Sequence, residues 1–276
     1  MITRYVSRLI IRKLCHIRKI STETDKKIAS VGIIVIGDEI LRGEVQDTNS
    51  AFLAKELHNL GIELKKITVI PDNVNTISEE VIEFSKKYNY VLTTGGIGPT
   101  HDDVTFEGVA LAFKEPLVLH PDLKQICIQF YKNENPSSMK MAYIPKSSKL
   151  HYKTKSGGKL RYPNVSIQNV YMFPGIPELL KKTILEAGSL LFKSDKKFFS
   201  KCVYCNLPEY EIVTELQQVV KEFPDVQCGC YPKLFDSSYK AKVTLESCCE
   251  ELTRKAHARL LELLPAKSVV KDDTND

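Results

Sequence analysis

The residues best equipped for chemistry lie in one stretch, Thr93 to Thr105, reading TTGGIGPTHDDVT. Gly95, Gly96 and Gly98 remove three side chains where a ligand could approach the main chain. Pro99 stiffens the turn, and Thr100 or Asp102 can cap the helix expected to follow. An apolar run, 90–92, precedes the stretch, and an amphipathic run, 104–113, follows it. Strand, glycine turn and helix in that order aim a helix N-terminus at an anion. Asp102 and Asp103 then fall where phosphates would sit. Carboxylates beside phosphate call for a hard divalent cation to join them. The same spacing also suits a plain glycine turn with a capping box from Thr100 to Asp103, so the residues alone leave both readings open.

Other polar positions follow apolar runs in the same way. Gly37, Asp38 and Glu39 follow the fully apolar end of 31–36. Asp72 follows 62–70 in a Pro-Asp-Asn turn, and Gly175 follows 165–173 in Pro-Gly-Ile-Pro. Helical spacing fills the gaps: 50–60, capped by Thr48 or Asn49 and stopped at Gly61, then 76–88. The order β, α, β, α, β, α with buried strands predicts a three-layer α/β fold around a mostly parallel sheet. Ligands in such sheets bind beyond the carboxyl ends of the strands, where Asp38, Asp72, Asp102 and Asp103 would converge. Ordinary acidic turns at 38–39 and 71–72 are the competing structural explanation.

Further along, 121–131 and 178–187 read as helices. Residues 133–164 are polar and broken by Pro136, Pro145, Gly157, Gly158 and Pro163, which suggests an excursion or lid over the site. Its lysines, Lys140 among them, face either phosphate or solvent. Residues 198–265 read as a small separate α+β unit with the order βαββα. The expected divisions are a leader and linker at 1–28, a nucleotide-binding domain at 29–195, the small unit at 196–265 and a mobile charged tail at 266–276.

Composition sets outer limits. A chain of 276 residues with 43% hydrophobic content suits one large domain and one small one. No apolar run approaches the roughly 20 residues of a membrane span. The net charge is +5, but Arg4, Arg8, Arg12, Lys13, Arg18 and Lys19 stand in the first 20 residues with no acid. The rest of the chain is near neutral, which offers no electrostatic case for nucleic acid. The basic leader places apolar and cationic residues on opposite helical faces. That is the pattern of a mitochondrial presequence, so a matrix location is expected; a basic tail on a cytoplasmic protein is the alternative. The eight cysteines are expected as reduced thiols. Cys202 and Cys205, with Cys228 and Cys230, have zinc-like spacing, but an i,i+3 pair within a strand points to opposite faces.

Four ordered motifs, GDEILRGEVQDTNS (37–50), TTGGIGPTHDDVT (93–105), FPGIP (173–177) and YPKLFDSSYKAKVTLES (231–247), resemble the molybdopterin-binding, MoaB/Mog-like domain family. Within it they are similar to the CinA-related branch and to the N-terminal domain of eukaryotic FAD synthases. The resemblance covers about residues 31–265. It implies a phosphorylated ligand, molybdopterin or a dinucleotide, across the glycine loop with a divalent metal (Mg²⁺, Co²⁺ or Mn²⁺). It assigns metal and nucleotide handling to Asp72 and Asp103, and it makes the small unit KH-like. One departure is Cys230, where the family often carries serine. Nothing in the chain resembles the PAPS-reductase-like, FMN-adenylylating domain of FAD synthase, so that reaction is not expected of these residues.

The expected activity is metal-dependent hydrolysis of a pyrophosphate link, of FAD to FMN and AMP or of ADP-ribose. Asp72, Asp102 and Asp103 would hold the metal, and His101 would act as acid or base unless it is merely a loop histidine. The amides after Gly96 and Gly98, with Gly95 and Thr100, would cradle phosphate. Gly37, Asp38, Glu39, Asn49 and Gly175 would complete the nucleotide site. The alternatives are a non-catalytic flavin-nucleotide binding module and molybdopterin adenylylation. Self-association is left open.

Overall fold

The computed structural model describes residues 28–233 and 238–272. The presequence expectation lies outside them. The described chain forms two compact units that part after Lys196.

The first unit is built on a six-stranded sheet. Its strands are β1 (Ser30–Ile36), β2 (Glu63–Ile70), β3 (Tyr90–Thr94), β6 (Lys149–Lys153), β7 (Lys159–Ile167) and β8 (Val170–Phe173), in the order β2-β1-β3-β8-β7-β6. A short ribbon pairs β4 (Leu117–Leu119) with β5 (Tyr143–Pro145). The central strand shows why the sheet needs a layer on each face. Side chains alternate along a strand. Ile34 and Ile36 pack with Ile77, Val81 and Phe84 of the helix Val74–Lys87. Val31, Ile33 and Val35 pack on the other face with Leu53 and Leu57 of the helix Asn49–Asn59 and Leu180 of the helix Pro177–Leu191. Each such side chain stabilises the fold by about 1.5–3 kcal/mol when fully buried.

The connections create a crevice. From β1 the chain runs through Asn49–Asn59 to β2 on one side, then through Val74–Lys87 to β3 on the other. Both neighbours are parallel to β1, and β3 is parallel to β8. The strand order therefore reverses between β1 and β3, and their carboxyl ends open onto the crevice.

Several boundaries correct the sequence reading. Residues 133–164, expected as a broken excursion or lid, are regular structure for much of their length. They form the helix Pro136–Met139, strand β5, and the antiparallel β6 and β7 that widen the main sheet. Strand β7 runs against the other five, so the sheet is mixed. The apolar run 165–173 is two strands, with a tight turn at Gln168 and Asn169. Gln168 turns without glycine, at φ 49°. The Asn169 side chain secures the turn by donating to the carbonyls of Ser85 and Tyr88 at 3.0 and 2.9 Å. The helix after the glycine loop begins at Thr105, not at 104, and its cap residue Val104 offers no side-chain bond. Neither Thr48 nor Asn49 caps its helix by side chain; Asp47 accepts from the Ser50 amide at 3.0 Å instead.

The second unit holds β9 (Phe199–Cys205), β10 (Gln227–Pro232), β11 (Ala241–Ser247) and β12 (Val269–Asp272), with helices Val213–Glu222 and Glu250–Leu263. The strands lie in the order β10-β11-β9-β12, all antiparallel. Val203, Val243 and Leu245 pack with Val219, Ala256 and Leu260. Strand β12 falls in the tail expected to be mobile, so the order is βαββαβ. Its four residues are too few to show a period, and its pairing to β9 supplies the order. Cys202 and Cys205 share β9, and Cys205 is buried in the core. Among the described residues no helix is long and apolar enough to cross a membrane.

Gly95 is where this fold is tightest. Its φ of 107° suits glycine, and an added Cβ would stand 2.0 Å from the Ile36 carbonyl oxygen. Gly43 also has a positive φ, 71°, but open space around it. Gly95→Ala should therefore lose at least about 3 kcal/mol in urea denaturation, whereas Gly43→Ala should lose about 1 kcal/mol.

Candidate active site

The loops that leave the strand ends are tied to one another by the main chain. After β1, the Gly37 amide donates to the Ile70 carbonyl at the end of β2, at 3.1 Å. The Asp38 amide donates to Asp72 Oδ2 at 2.9 Å, so Asp72 is turned back over the end of β1. Asp72 also lies beside the glycine turn: a Cβ on Gly96 would stand 3.4 Å from Asp72 Oδ1. After β3, the Gly95 amide donates to the Phe173 carbonyl at 3.1 Å. Thr105 then locks the turn. Its hydroxyl donates to the Gly95 carbonyl at 2.8 Å and its amide to the Gly96 carbonyl at 2.9 Å.

Those bonds leave a row of donors. The amides of Gly96, Ile97 and Gly98 donate to no group among the described residues. Consecutive unpaired amides beside a partly buried turn are uncommon in a folded chain, and they form the kind of concavity that takes an anion. The expectation that the amide after Gly98 would help is corrected, because that nitrogen belongs to Pro99 and carries no hydrogen.

The acids divide into two roles. Asp103 Oδ2 accepts from the Thr100 amide at 2.8 Å and from the Thr100 hydroxyl. The capping box therefore closes within the loop rather than on the helix. Gly98 makes room for it, since a Cβ there would stand 2.5 Å from the same oxygen. Asp72 differs. Burial raises its carboxyl above the usual carboxylate range, against the lowering effect of the Asp38 amide, and the charges of Glu39, Asp38 and Asp102 add to the rise. Asp102 is held low, chiefly by a hydrogen bond with Thr100. Asp38 has Arg42 at 3.7 Å. His101 reaches into solvent with its side chain 98% exposed, 3.9 Å from Asp102.

The structure thus brings Asp38, Glu39, Asp72 and Asp102 into one electrostatic neighbourhood, while Asp103 is turned to Thr100. Of the expected metal set of Asp72, Asp102 and Asp103, the first two fall in that neighbourhood and Asp103 is engaged with Thr100. Among the described residues no three His, Cys, Asp or Glu side chains stand close enough to hold a metal by themselves. A cation here would need further oxygens from the ligand. The donors present are all carboxylate oxygen, and Asp72 carries uncompensated negative charge, which fits a hard divalent ion shared with phosphate.

Asn49 is a bracket. Its Nδ2 donates to Thr94 Oγ1 at 3.0 Å and to the Gly175 carbonyl at 2.8 Å, while Thr94 donates to the Pro174 carbonyl at 3.1 Å. Its Oδ1 is buried without a partner among the described residues. Gly175 lies against the turn, since a Cβ on it would stand 3.3 Å from Gly95 Cα. Thr105 was not singled out in the sequence. A threonine opening the helix directly after a glycine turn is the signal that points to it.

Comparison with known proteins agrees with the fold and the motifs. Residues 32–192 match the model of a probable molybdopterin binding domain, and residues 197–273 match the middle domain of FAD synthase. A probable FAD synthase of Caenorhabditis briggsae is 35% identical over 266 residues, covering 88% of this chain and 51% of that protein. The chain spans about half the length of such curated relatives. A protein of Archaeoglobus fulgidus is 39% identical over 202 residues, covering 73% of this chain and 85% of the relative. The structure of CinA, of unknown function, from Thermoplasma acidophilum is 24% identical with a TM-score of 0.54, covering 60% of this chain and 99% of CinA. Motifs, sheet order and these matches agree: the chain belongs to the molybdopterin-binding, MoaB/Mog-like domain family, with similarity to its CinA-related branch and to FAD synthases.

Proposed function

We propose that the first unit binds a dinucleotide through its diphosphate bridge, FAD or ADP-ribose, and hydrolyses that bridge with a divalent metal. The observation that carries this reading is the row of unpaired amides at Gly96, Ile97 and Gly98, set beside the partly buried Asp72 carboxylate. Amides favour phosphate oxygens, and a carboxylate alone would repel them. A cation reconciles the two. The similarity to FAD synthases over both units supports a flavin or adenine dinucleotide over molybdopterin.

Each group then has a task. Asp72 would hold the metal together with phosphate oxygens, and Asp38, Glu39 and Asp102 would add negative charge around it; the metal would supply charge neutralisation and an activated water. The amides of Gly96, Ile97 and Gly98 orient the diphosphate. Asp103 holds the loop closed through Thr100. Asn49, through Thr94 and the Gly175 carbonyl, would hold the loop after β8 against the site. His101, exposed beside Asp102, would pass a proton to the departing phosphate.

The full chain should convert FAD to FMN and AMP with Mg²⁺, Co²⁺ or Mn²⁺, followed by chromatography. Binding of FAD by calorimetry without turnover would leave a binding module and reject the hydrolase. Asp72→Asn should lower turnover by about 100-fold or more. It should also stabilise the fold near neutral pH by up to about 1 kcal/mol, seen as roughly 2–4 °C in thermal denaturation. Because folding raises the Asp72 pKa, the parent chain is favoured at low pH and loses stability as pH rises through the folded value. The difference between the two proteins should accordingly vanish near about pH 3. Asp103 separates clasp from metal ligand. If it clasps the loop, Asp103→Asn keeps turnover within about tenfold, because the amide oxygen still accepts from Thr100, while Asp103→Ala loses about 100-fold.

A further inference from the structure

A cavity of about 400 Å³ opens directly beside the glycine turn, between Pro99–His101 and the segment that carries Lys140 and Tyr143. Its size falls within the range of small-molecule sites. Tyr143, on β5, shows 43% of its surface to solvent. Leu117, on the paired strand β4, and the rings of Pro99 and Pro136 add flat apolar wall. An exposed tyrosine among rigid apolar neighbours is suited to stacking.

The polar lining argues against a second phosphate seat. The Lys140 ammonium is already engaged: it donates to the Thr100 carbonyl at 2.7 Å and the His101 carbonyl at 3.4 Å, with Glu107 at 3.8 Å. Its charge is thus matched by a carboxylate and two carbonyls. The cavity has apolar wall from Pro99, Leu117, Pro136 and Tyr143, the Lys140 and Glu107 charges offset each other, and Thr100, His101 and Ser137 offer hydrogen-bonding groups. A planar, uncharged heterocycle matches that description better than an anion does. Lys140 also joins the cavity to the catalytic loop, since it bonds the residue that clasps Asp103.

We propose that this cavity seats the heteroaromatic ring of the nucleotide whose phosphates lie on the glycine turn, with Tyr143 as its stacking surface. The inference rests on the dinucleotide reading above and adds a seat for the ring. Adenine and isoalloxazine share the required chemistry, and the test tells them apart.

The test is calorimetric titration of the full chain with FAD, AMP, FMN and inorganic diphosphate, each with Mg²⁺. Tyr143→Ala should weaken FAD by about tenfold and leave inorganic diphosphate unchanged, while Tyr143→Phe should stay within about twofold of the parent. Whichever of AMP and FMN weakens along with FAD identifies the ring. Unchanged FAD affinity in Tyr143→Ala overturns the inference and leaves the dinucleotide reading intact. An equal fall for inorganic diphosphate also overturns it, because the substitution would then be acting on the loop. If the parent binds diphosphate but not FAD, the ring seat is rejected and the phosphate seat stands. If it binds neither, the dinucleotide reading fails and the ring seat with it.

Discussion

The end of β1 and the turn after β3 are pressed together until no side chain fits between them. The Ile36 carbonyl stands where a Cβ on Gly95 would be, and Gly175 approaches Gly95 from the loop after β8. That contact depends on parallel pairing on both sides of β3, which brings the strand ends level. Thr105 holds the arrangement by taking the Gly95 and Gly96 carbonyls with its own hydroxyl and amide. The Gly95 and Gly96 carbonyls are thereby tied down, and the amides of Gly96, Ile97 and Gly98 have no partner among the described residues. Close packing thus produces the donors that the proposed function uses.

Around those donors the chain gathers negative charge. Asp72 is partly buried, lies beside Gly96, and feels Asp38, Glu39 and Asp102. The Asp38 amide is its one lowering influence, and burial outweighs it. The unpaired amides and the gathered carboxylates therefore present opposite electrostatic faces at the same loop. Asp103 stands apart from this group, because its clasp on Thr100 keeps it in the loop. Two adjacent aspartates thereby differ in surroundings, and Gly98 leaves the space that Asp103 occupies.

Much of the first unit was legible because its signals are local and repeated. Apolar strands that end in Gly37, Pro71 and Gly95, with helices between them, define the alternating order and place the acids at strand ends. Where the reading went astray, the cause was also physical. The run 165–173 conceals a turn because Gln168 takes a left-handed conformation without glycine, secured by a distant asparagine bond. Strand β12 is four residues long and gains its order from β9. The segment 133–164 looks loop-like because its prolines and glycines mask two strands that pair across the sheet edge.

The sequence by itself determined the family, the β-α alternation, the glycine turn and the set of acids at the strand ends, because spacing and residue type carry those directly. The tertiary structure alone decided what each acid faces. Asp102 and Asp103 are neighbours in the chain, yet Asp102 is exposed while Asp103 accepts both the amide and the hydroxyl of Thr100. Asp72 meets Gly96 across 24 residues because β1, β2 and β3 end side by side. The pocket at Tyr143 likewise exists only once β5 pairs with β4. Chain-local patterns cannot encode such meetings, since they depend on which strands pair and at what register.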